Sequence, residues 1–94
     1  MNEFYIYILE CNDGSHYTGH TDDLEAGLSA HQIGAFAGYT KKRRPVKLVY
    51  AETFGTRDEA FNAERRIKGW RREKKGALIN RDWDLLVKLS NEKK

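Results

Sequence analysis

The chain has 94 residues and a mass of 10.9 kDa, which is enough for one small domain and too short for two, because single cores usually need roughly 100 to 150 residues. Hydrophobic residues make up 39% and charged residues 33% of the chain, a composition typical of a soluble globular domain. The longest apolar run lies within residues 4–9, so we expect no membrane span and no secretion signal. A single cysteine, Cys11, excludes an internal disulfide and favours a reducing, cytoplasmic setting.

Charge is distributed unevenly along the chain. Residues 1–40 contain six acidic residues and no Lys or Arg, whereas residues 41–94 contain all 17 basic residues and eight acidic ones. With neutral histidines the two segments carry −6 and +9, and the sequence pI is about 9.1. This asymmetry indicates a surface that meets a polyanion, although a basic surface predicts nucleic-acid binding only weakly by itself.

The first predicted element is a strand over residues 4–11, where β-branched and aromatic side chains at consecutive positions make both faces apolar. That pattern is typical of a central strand covered on both faces. Turn-forming residues 12–15 follow, and Gly14 can adopt a positive φ. Residues 16–19 are therefore expected to return as the second arm of an antiparallel hairpin.

A helix is predicted over residues 22–32. Asp22 and Glu25 resemble a capping box, and Leu24, Leu28 and His31 recur at helical spacing. Gly27 falls inside this helix. A glycine there costs roughly 0.5–1 kcal/mol relative to alanine, so local stability does not explain its presence.

Residues 33–45 are predicted to form a surface loop, because they contain two glycines, a proline and the basic run 41–44. Residues 46–54 alternate well enough to be a third strand. We expect its faces to carry Val46, Leu48 and Tyr50 on one side and Val49 and Ala51 on the other.

Thr56 and Glu59 form a second capping box, and the helix that they open is predicted to run to about Trp70. Glu64 falls on the apolar stripe of this helix, so its carboxylate is expected at the edge of the core or of a cleft. A buried carboxylate needs a partner, a metal or a proton. A short helix over residues 71–80, an amphipathic helix over 83–89 and a frayed tail over 91–94 complete the predicted elements.

Four features taken together resemble the GIY-YIG nuclease domain. They are Tyr5-Ile6-Tyr7, Tyr17-Thr18-Gly19 ten residues later, a helix that opens with Asp23-Leu24, and Glu64 on a later helix. The segments YIYILEC, DGSHYTGHTDDLE, GYTKKRRPVKLVY and ERRIKGW are also similar to small stand-alone GIY-YIG proteins of bacteria. The resemblance extends over about residues 4–80, nearly the whole chain.

This resemblance implies an α+β fold with a small central three-stranded antiparallel sheet flanked by helices. It implies a nuclease-like domain over residues 1–80, followed by a C-terminal helix and short tail over 81–94. The implied activity is metal-dependent endonucleolytic hydrolysis of phosphodiester bonds in DNA. The resemblance leaves open whether the DNA is single-stranded or structured, and what the oligomeric state is.

The resemblance also implies three roles at the site. Tyr7 matches a tyrosine whose hydroxyl is thought to help deprotonate the attacking water, and Tyr17 matches one that helps to position the water and the phosphate. Glu64 matches the glutamate that holds one divalent metal, Mg²⁺ or Mn²⁺. Because a phenol has a pKa near 10, we expect a base role for Tyr7 to require a metal or a cation that lowers that pKa.

His31, His20 and Gly19 are further site candidates. His31 matches a position near the family active site that is often His or Tyr, but a helix-face histidine packed beside Leu28 explains it equally well. His20 matches a place where a cation or polar group is common, and a polar residue at a strand end is the simpler interpretation. Gly19 is expected to let the chain leave the strand and approach the phosphate closely.

The stronger candidates also have ordinary alternatives. Tyr7 and Tyr17 could be strand aromatics, although the motif spacing favours the catalytic roles. Glu64 could be an ion-pair partner of Lys68 at i+4, although its place on the apolar stripe favours the metal role. Tyr39 and Trp70 could stack on bases, but core packing explains Trp70 better.

Basic residues of the second half are predicted to contact the phosphate backbone rather than to form a merely solvated charge run. The candidates are Lys41, Lys42, Arg43, Arg44, Arg65, Arg66, Arg71 and Arg72.

The chain departs from the family pattern at Gly27, where the family carries an arginine that stabilises charge on the scissile phosphate. Such a loss costs on the order of 10² to 10³ in rate, unless Arg43, Arg44 or Arg65 reaches in from another segment. The primary hypothesis is therefore an endonuclease impaired at Gly27. A nucleic-acid-binding module that no longer cleaves and a protein-interaction domain that reuses the fold are the alternatives.

Overall fold

A three-stranded antiparallel sheet lies at the centre of the computed structural model, which describes residues 3–35 and 38–91. The strands are β1 (Phe4–Glu10), β2 (His16–Thr21) and β3 (Lys47–Phe54), in the order β2-β1-β3. The helices are α1 (Leu24–Gln32), α2 (Arg57–Lys68), α3 (Arg72–Ile79) and α4 (Trp83–Ser90), and one 3₁₀ turn covers Lys41–Arg43. The predicted α+β fold with a central antiparallel sheet is confirmed.

The apolar pattern of β1 places this strand in the middle of the sheet, because each of its faces covers a separate core. Ile6 and Ile8 are fully buried in the first core, against α2 and α3. Tyr7 and Leu9 are buried in the second core, together with Cys11 and partly buried leucines of α1. The central, doubly covered strand predicted from consecutive apolar residues is thus confirmed.

A tight hairpin joins β1 to β2. Gly14 adopts φ +84°, as its place among turn formers predicted, and the Asp13 carboxylate accepts hydrogen bonds from the backbone and hydroxyl of Ser15. The hairpin register pairs Tyr7 with Gly19. It therefore sets the two family motifs side by side.

Side-chain caps begin the two helices that border the site. Asp23 caps α1 by accepting from the Ala26 backbone N–H at 3.0 Å, so the helix begins one residue later than the expected Asp22 cap allows. Thr56 caps α2 by accepting from the Glu59 backbone, as predicted. α2 ends at Lys68, and Trp70 packs against the first core beyond that end.

The expected faces of β3 are wrong in one respect. Leu48 pairs with Leu9 while Tyr50 pairs with Ile8, so the register shifts across Val49. This bulge turns Leu48 to the second core and Tyr50 to the first, where strict alternation would place both on one face.

The C-terminal helix α4 packs on the first core through Leu86 and buries Leu89. The expected frayed tail falls largely on residues 92–94, which lie outside the described residues. Within the described part of the chain, no helix has the length and apolar character needed to cross a membrane.

Candidate active site

A cleft of about 190 Å³ opens beside β2, an edge strand of the sheet, where Tyr7 and Tyr17 of the second core approach Glu64. Four elements, β1, β2, α1 and α2, contribute to it. The lining residues are Tyr7, Tyr17, Gly19, His20, His31 and Glu64. The structure therefore brings together all the candidate site residues of the motif regions except Gly27.

Tyr7 is hydrogen-bonded to His31 at the floor of this cleft. The Tyr7 hydroxyl lies 2.9 Å from Nε2 of His31, and Nδ1 of the same ring lies 2.7 Å from Oγ1 of Thr40. All three residues are at least 95% buried. The arrangement is a chain of proton-carrying groups that runs from the cleft into the loop after α1.

Burial shifts the two titrating members of this chain in opposite directions. It raises the pKa of the Tyr7 hydroxyl, and the nearby Tyr17 and Glu64 raise it further because they disfavour a phenolate. Burial lowers the pKa of His31, which keeps the imidazole neutral at neutral pH. Burial therefore disfavours both a phenolate and an imidazolium, so the two groups rest as a neutral phenol hydrogen-bonded to a neutral imidazole.

Gly19 lies under the ring of Tyr7. A Cβ atom at this position would stand 2.6 Å from the Tyr7 hydroxyl oxygen and 2.7 Å from Cζ, far inside contact distance. Gly19 lies within β2, so the expectation that it lets the chain leave the strand is wrong. The glycine makes room for the Tyr7 side chain on the neighbouring strand.

Tyr17 forms the aromatic wall between the buried floor and the rim. Its ring lies 4.9 Å from the His31 ring, 6.5 Å from the Tyr7 ring and 6.3 Å from the Tyr39 ring, to which it is stacked. Tyr39 is 40% exposed, so this row of rings leads from Tyr7 to solvent.

Glu64 is 7% exposed, as expected for a carboxylate on an apolar stripe, and it has two cationic or polar partners. Its Oε2 accepts a hydrogen bond from Nζ of Lys68 at 2.7 Å, and its Oε1 contacts Nδ1 of His20. The bond to Glu64 raises the pKa of Lys68. Glu64 therefore forms the ion pair with Lys68 and also lines the cleft.

The residues present fit a magnesium-type ion held mainly by water and substrate. No group of three or more His, Cys, Asp or Glu side chains with metal-binding geometry occurs among residues 3–35 and 38–91. Magnesium commonly binds proteins through one or two carboxylates, retains several waters and takes phosphate oxygens as further ligands. The buried carboxylate of Glu64 supplies such a donor, because each of its oxygens has a second lone pair beyond the existing contacts.

Gly27 faces β2 beside the cleft. A Cβ atom here would lie 3.5–3.6 Å from Thr21, which is ordinary contact. Thr21 points to the same side of β2 as Gly19 and Tyr17, since side chains alternate along a strand. The backbone therefore accepts a side chain at position 27, and the structure offers no steric reason for glycine.

The basic run 41–44 is partly structural. Arg43 donates to Asp13 at 3.0 Å and to the Tyr39 carbonyl at 2.9 Å, and its guanidinium lies 4.0 Å from the Tyr39 ring. Arg44 donates to the carbonyls of Lys41 and Gln32. Arg43 therefore fastens the loop to the hairpin turn, and Arg44 fastens it to the end of α1.

The other predicted phosphate contacts are on the surface. Lys41 and Lys42 are exposed on the loop, and Arg65, Arg66, Arg71 and Arg72 are exposed on α2 and near the start of α3. The Arg65 guanidinium lies 5.6 Å from the Phe61 ring.

Sequence reasoning missed the site position of Thr40. Thr40 gave no signal, because a single threonine in an irregular loop has no periodicity. The i+4 spacing of Lys68 from Glu64 indicated an ion pair, which the sequence analysis kept as the alternative to a metal role for Glu64.

The fold and the cleft together define a domain of the GIY-YIG nuclease type. The model of the GIY-YIG catalytic domain matches residues 3–77, so the chain belongs to the GIY-YIG family. Among known proteins, it is 50% identical to a UPF0213 protein of Staphylococcus saprophyticus over 85% of this chain and 98% of that protein. It is 45% identical to a UPF0213 protein of Haloquadratum walsbyi over 90% of this chain and 97% of that protein.

Two solution structures are also similar to the chain. The UPF0213 protein of Bacillus halodurans superposes with a TM-score of 0.55 at 41% identity, with 83% of each chain covered. A protein of E. faecalis superposes with a TM-score of 0.59 at 40% identity, with 85% of each chain covered. The names of the relatives state no specific activity.

Proposed function

We propose that the protein is a metal-dependent DNA endonuclease of the GIY-YIG type, with a cleavage rate reduced by Gly27. One observation carries the proposal: a single cleft joins the Tyr7–His31 hydrogen bond to the buried carboxylate of Glu64. A proton acceptor for water and an anchor for a metal are the two parts that phosphodiester hydrolysis requires.

Proton transfer begins at Tyr7. As a water oxygen bonds to phosphorus, its proton passes to the Tyr7 oxygen while the phenol proton passes to Nε2 of His31. This concerted route avoids a free phenolate, which the raised pKa of Tyr7 disfavours. His31 then holds the proton, and Thr40 accepts from its Nδ1–H at 2.7 Å. The bond from phosphorus to the leaving oxygen breaks, and solvent supplies the proton which that oxygen takes.

Glu64 would hold the divalent metal, Mg²⁺ or Mn²⁺. Such an ion, when bound, neutralises negative charge on the phosphate and increases the acidity of bound water. His20 contacts the same carboxylate and fixes its orientation. Tyr17 limits the space in which the water and the phosphate can lie, because its ring packs against His31.

DNA, single-stranded or structured, is the proposed substrate. The charge of +9 on residues 41–94 supports a polyanion, and exposed Lys41 and Lys42 stand on the loop whose Tyr39 borders the aromatic wall. Position 27 supplies no cation to the scissile phosphate, so the rate is expected to be on the order of 10² to 10³ below that of a chain with arginine there.

A nucleic-acid-binding module without cleavage is the second candidate. Both carboxylate oxygens of Glu64 already have protein partners, Lys68 and His20, and these contacts compete with a metal. In that case the basic surface binds DNA and the cleft is a remnant.

Cleavage of end-labelled DNA distinguishes the two candidates. Single-stranded, duplex and flap DNAs are incubated with Mg²⁺ or Mn²⁺ and with the natural chain, Gly27→Arg, or Gly27→Arg combined with Glu64→Gln. We expect slow cleavage by the natural chain, faster cleavage by Gly27→Arg and none by the double variant. Salt-sensitive binding by all three with no product from any of them would refute the endonuclease and support the binding module.

A further inference from the structure

Lys68 occupies a position that suits a substrate phosphate. We propose that its ammonium group contacts the scissile phosphate and performs part of the task of the arginine that is absent at position 27. This inference rests on the proposed function, and it names a residue that the family motifs do not supply.

The first argument is the place of the ammonium group. Nζ of Lys68 lies 2.7 Å from Oε2 of Glu64 and 5.7 Å from the centre of the Tyr17 ring, so it stands between the metal anchor and the aromatic wall. The Lys68 side chain is 49% exposed whereas that of Glu64 is 9% exposed. The buried Glu64 carboxylate therefore holds the ammonium group, and the exposed side of the Lys68 side chain is accessible to a ligand from solvent.

The second argument is donor capacity. An ammonium group has three N–H donors and no acceptor. Glu64 accepts one hydrogen bond, which leaves Lys68 able to donate to the oxygens of a phosphate that lies on the metal side of the same carboxylate. The salt bridge also pre-orients a side chain that would otherwise lose rotamer freedom on binding.

The third argument is that the arginines considered for compensation are directed elsewhere. Arg43 donates to Asp13 and to the Tyr39 carbonyl, and Arg44 donates to the carbonyls of Lys41 and of Gln32 at the end of α1. Arg65 lies over the ring of Phe61. Lys68, by contrast, forms a salt bridge with Glu64, which lines the cleft.

Lys68 and the metal share one carboxylate, and this gives the proposal a distinctive signature. A positive charge at 2.7 Å from Oε2 weakens binding of a second cation to Glu64. When a neutral residue replaces Lys68, Glu64 should therefore bind the metal more tightly, while the phosphate should be stabilised less. A residue that merely supported the fold would not change these two properties in opposite directions.

The test uses Lys68→Met as the neutral variant and Lys68→Arg as the charge-preserving one. Lys74→Met is the matched control, because the Lys74 ammonium lies over the Trp70 ring, 4.2 Å from its centre. Single-turnover cleavage at saturating Mn²⁺ is measured for each, and calorimetry gives the Mn²⁺ dissociation constant without DNA. We also combine Lys68→Met with Gly27→Arg.

We expect Lys68→Met to cleave about 10²-fold more slowly and to bind Mn²⁺ more tightly. Lys68→Arg and Lys74→Met should cleave at close to the natural rate, and Gly27→Arg should restore much of the rate lost in Lys68→Met. If the natural chain cleaves and Lys68→Met cleaves equally fast, this inference fails and the endonuclease stands. If neither the natural chain nor Gly27→Arg cleaves, the proposed function fails and the inference falls with it.

Discussion

Gly19→Ala tests the closest packing contact in the cleft. The added methyl group would stand 2.6 Å from the Tyr7 hydroxyl oxygen and 3.2 Å from Cε2 of Tyr17. Ordinary contact needs about 3.5 Å, so the Tyr7 ring must move by about 1 Å. That ring is 95% buried and its hydroxyl is bonded to His31, so it has no free direction in which to move.

The expected cost follows from three opposing contributions. Overfilling a packed core costs about 1–3 kcal/mol. Loss of the hydrogen bond between Tyr7 and His31 costs about 0.5–1.5 kcal/mol, and alanine regains about 0.5–1 kcal/mol of backbone entropy relative to glycine. The net loss is about 2 kcal/mol, which lowers the Tm of a domain of this size by about 8–16 °C.

Thermal unfolding followed by circular dichroism measures this shift, and the cleavage assay measures the site. Gly76→Ala is the control, because its Cβ would meet no atom within 4 Å and it lies inside α3. The control should be unchanged or stabilised by up to about 1 kcal/mol. A Gly19→Ala variant with the same Tm and the same DNA cleavage rate as the natural protein would refute the reasoning.

Three further predictions concern the proton chain and the basic loop. Thr40→Val removes the 2.7 Å hydrogen bond to His31 and should lower the free energy of unfolding by about 1 kcal/mol. Thr40→Ser keeps the hydroxyl and should leave the free energy of unfolding unchanged. Equal denaturant midpoints for the two variants would contradict this prediction. Because burial lowers the pKa of His31, the unfolded chain binds more protons than the folded protein below about pH 6.5, so stability should fall as the pH decreases from there. Thermal scans across this range should show a weaker pH dependence in His31→Gln, and an unchanged one would count against burial of a neutral imidazole. Lys42→Ala should weaken DNA binding and reduce the slope of log K against log salt by about 0.7–0.9; Lys88→Ala on α4 should leave both unchanged in fluorescence anisotropy titrations.

Much of the fold could be predicted because its signals are local. Consecutive apolar residues in β1 indicated a doubly covered strand, and the Thr56 cap fixed the start of α2. The bulge at Val49 could not be read, since the bulge depends on how β3 pairs with β1 and not on the composition of either strand. A single extra residue therefore moved Tyr50 to the opposite face from the one expected.

The site residues that belong to the family motifs could be predicted from the sequence, and those outside the motifs could not be predicted in the same way. Tyr7, Tyr17 and Glu64 lie in one cleft, as their match to the family motifs predicted. Thr40 contacts His31 by virtue of the tertiary fold, so it could not be recognised from a motif. Lys68 contacts Glu64 from the next turn of the same helix, a spacing that is visible in the sequence. Gly19 was predicted as a site residue, but its contact with Tyr7 was not, because the residue that faces it across the strands is known only once the register is known.

The proton chain runs between parts of the molecule with different local stability. Tyr7 lies on the central strand and pairs with Gly19 on one side and Ala51 on the other, so its amide should exchange with solvent deuterium only when the domain unfolds globally. Thr40 lies in the loop before the 3₁₀ turn, outside the helices and strands, where local opening costs less. DNA bound at the basic loop would therefore slow amide exchange around Thr40 and leave the exchange of Tyr7 unchanged. The Thr40 end of the proton chain would thus show whether DNA is bound, while the Tyr7 end would not respond.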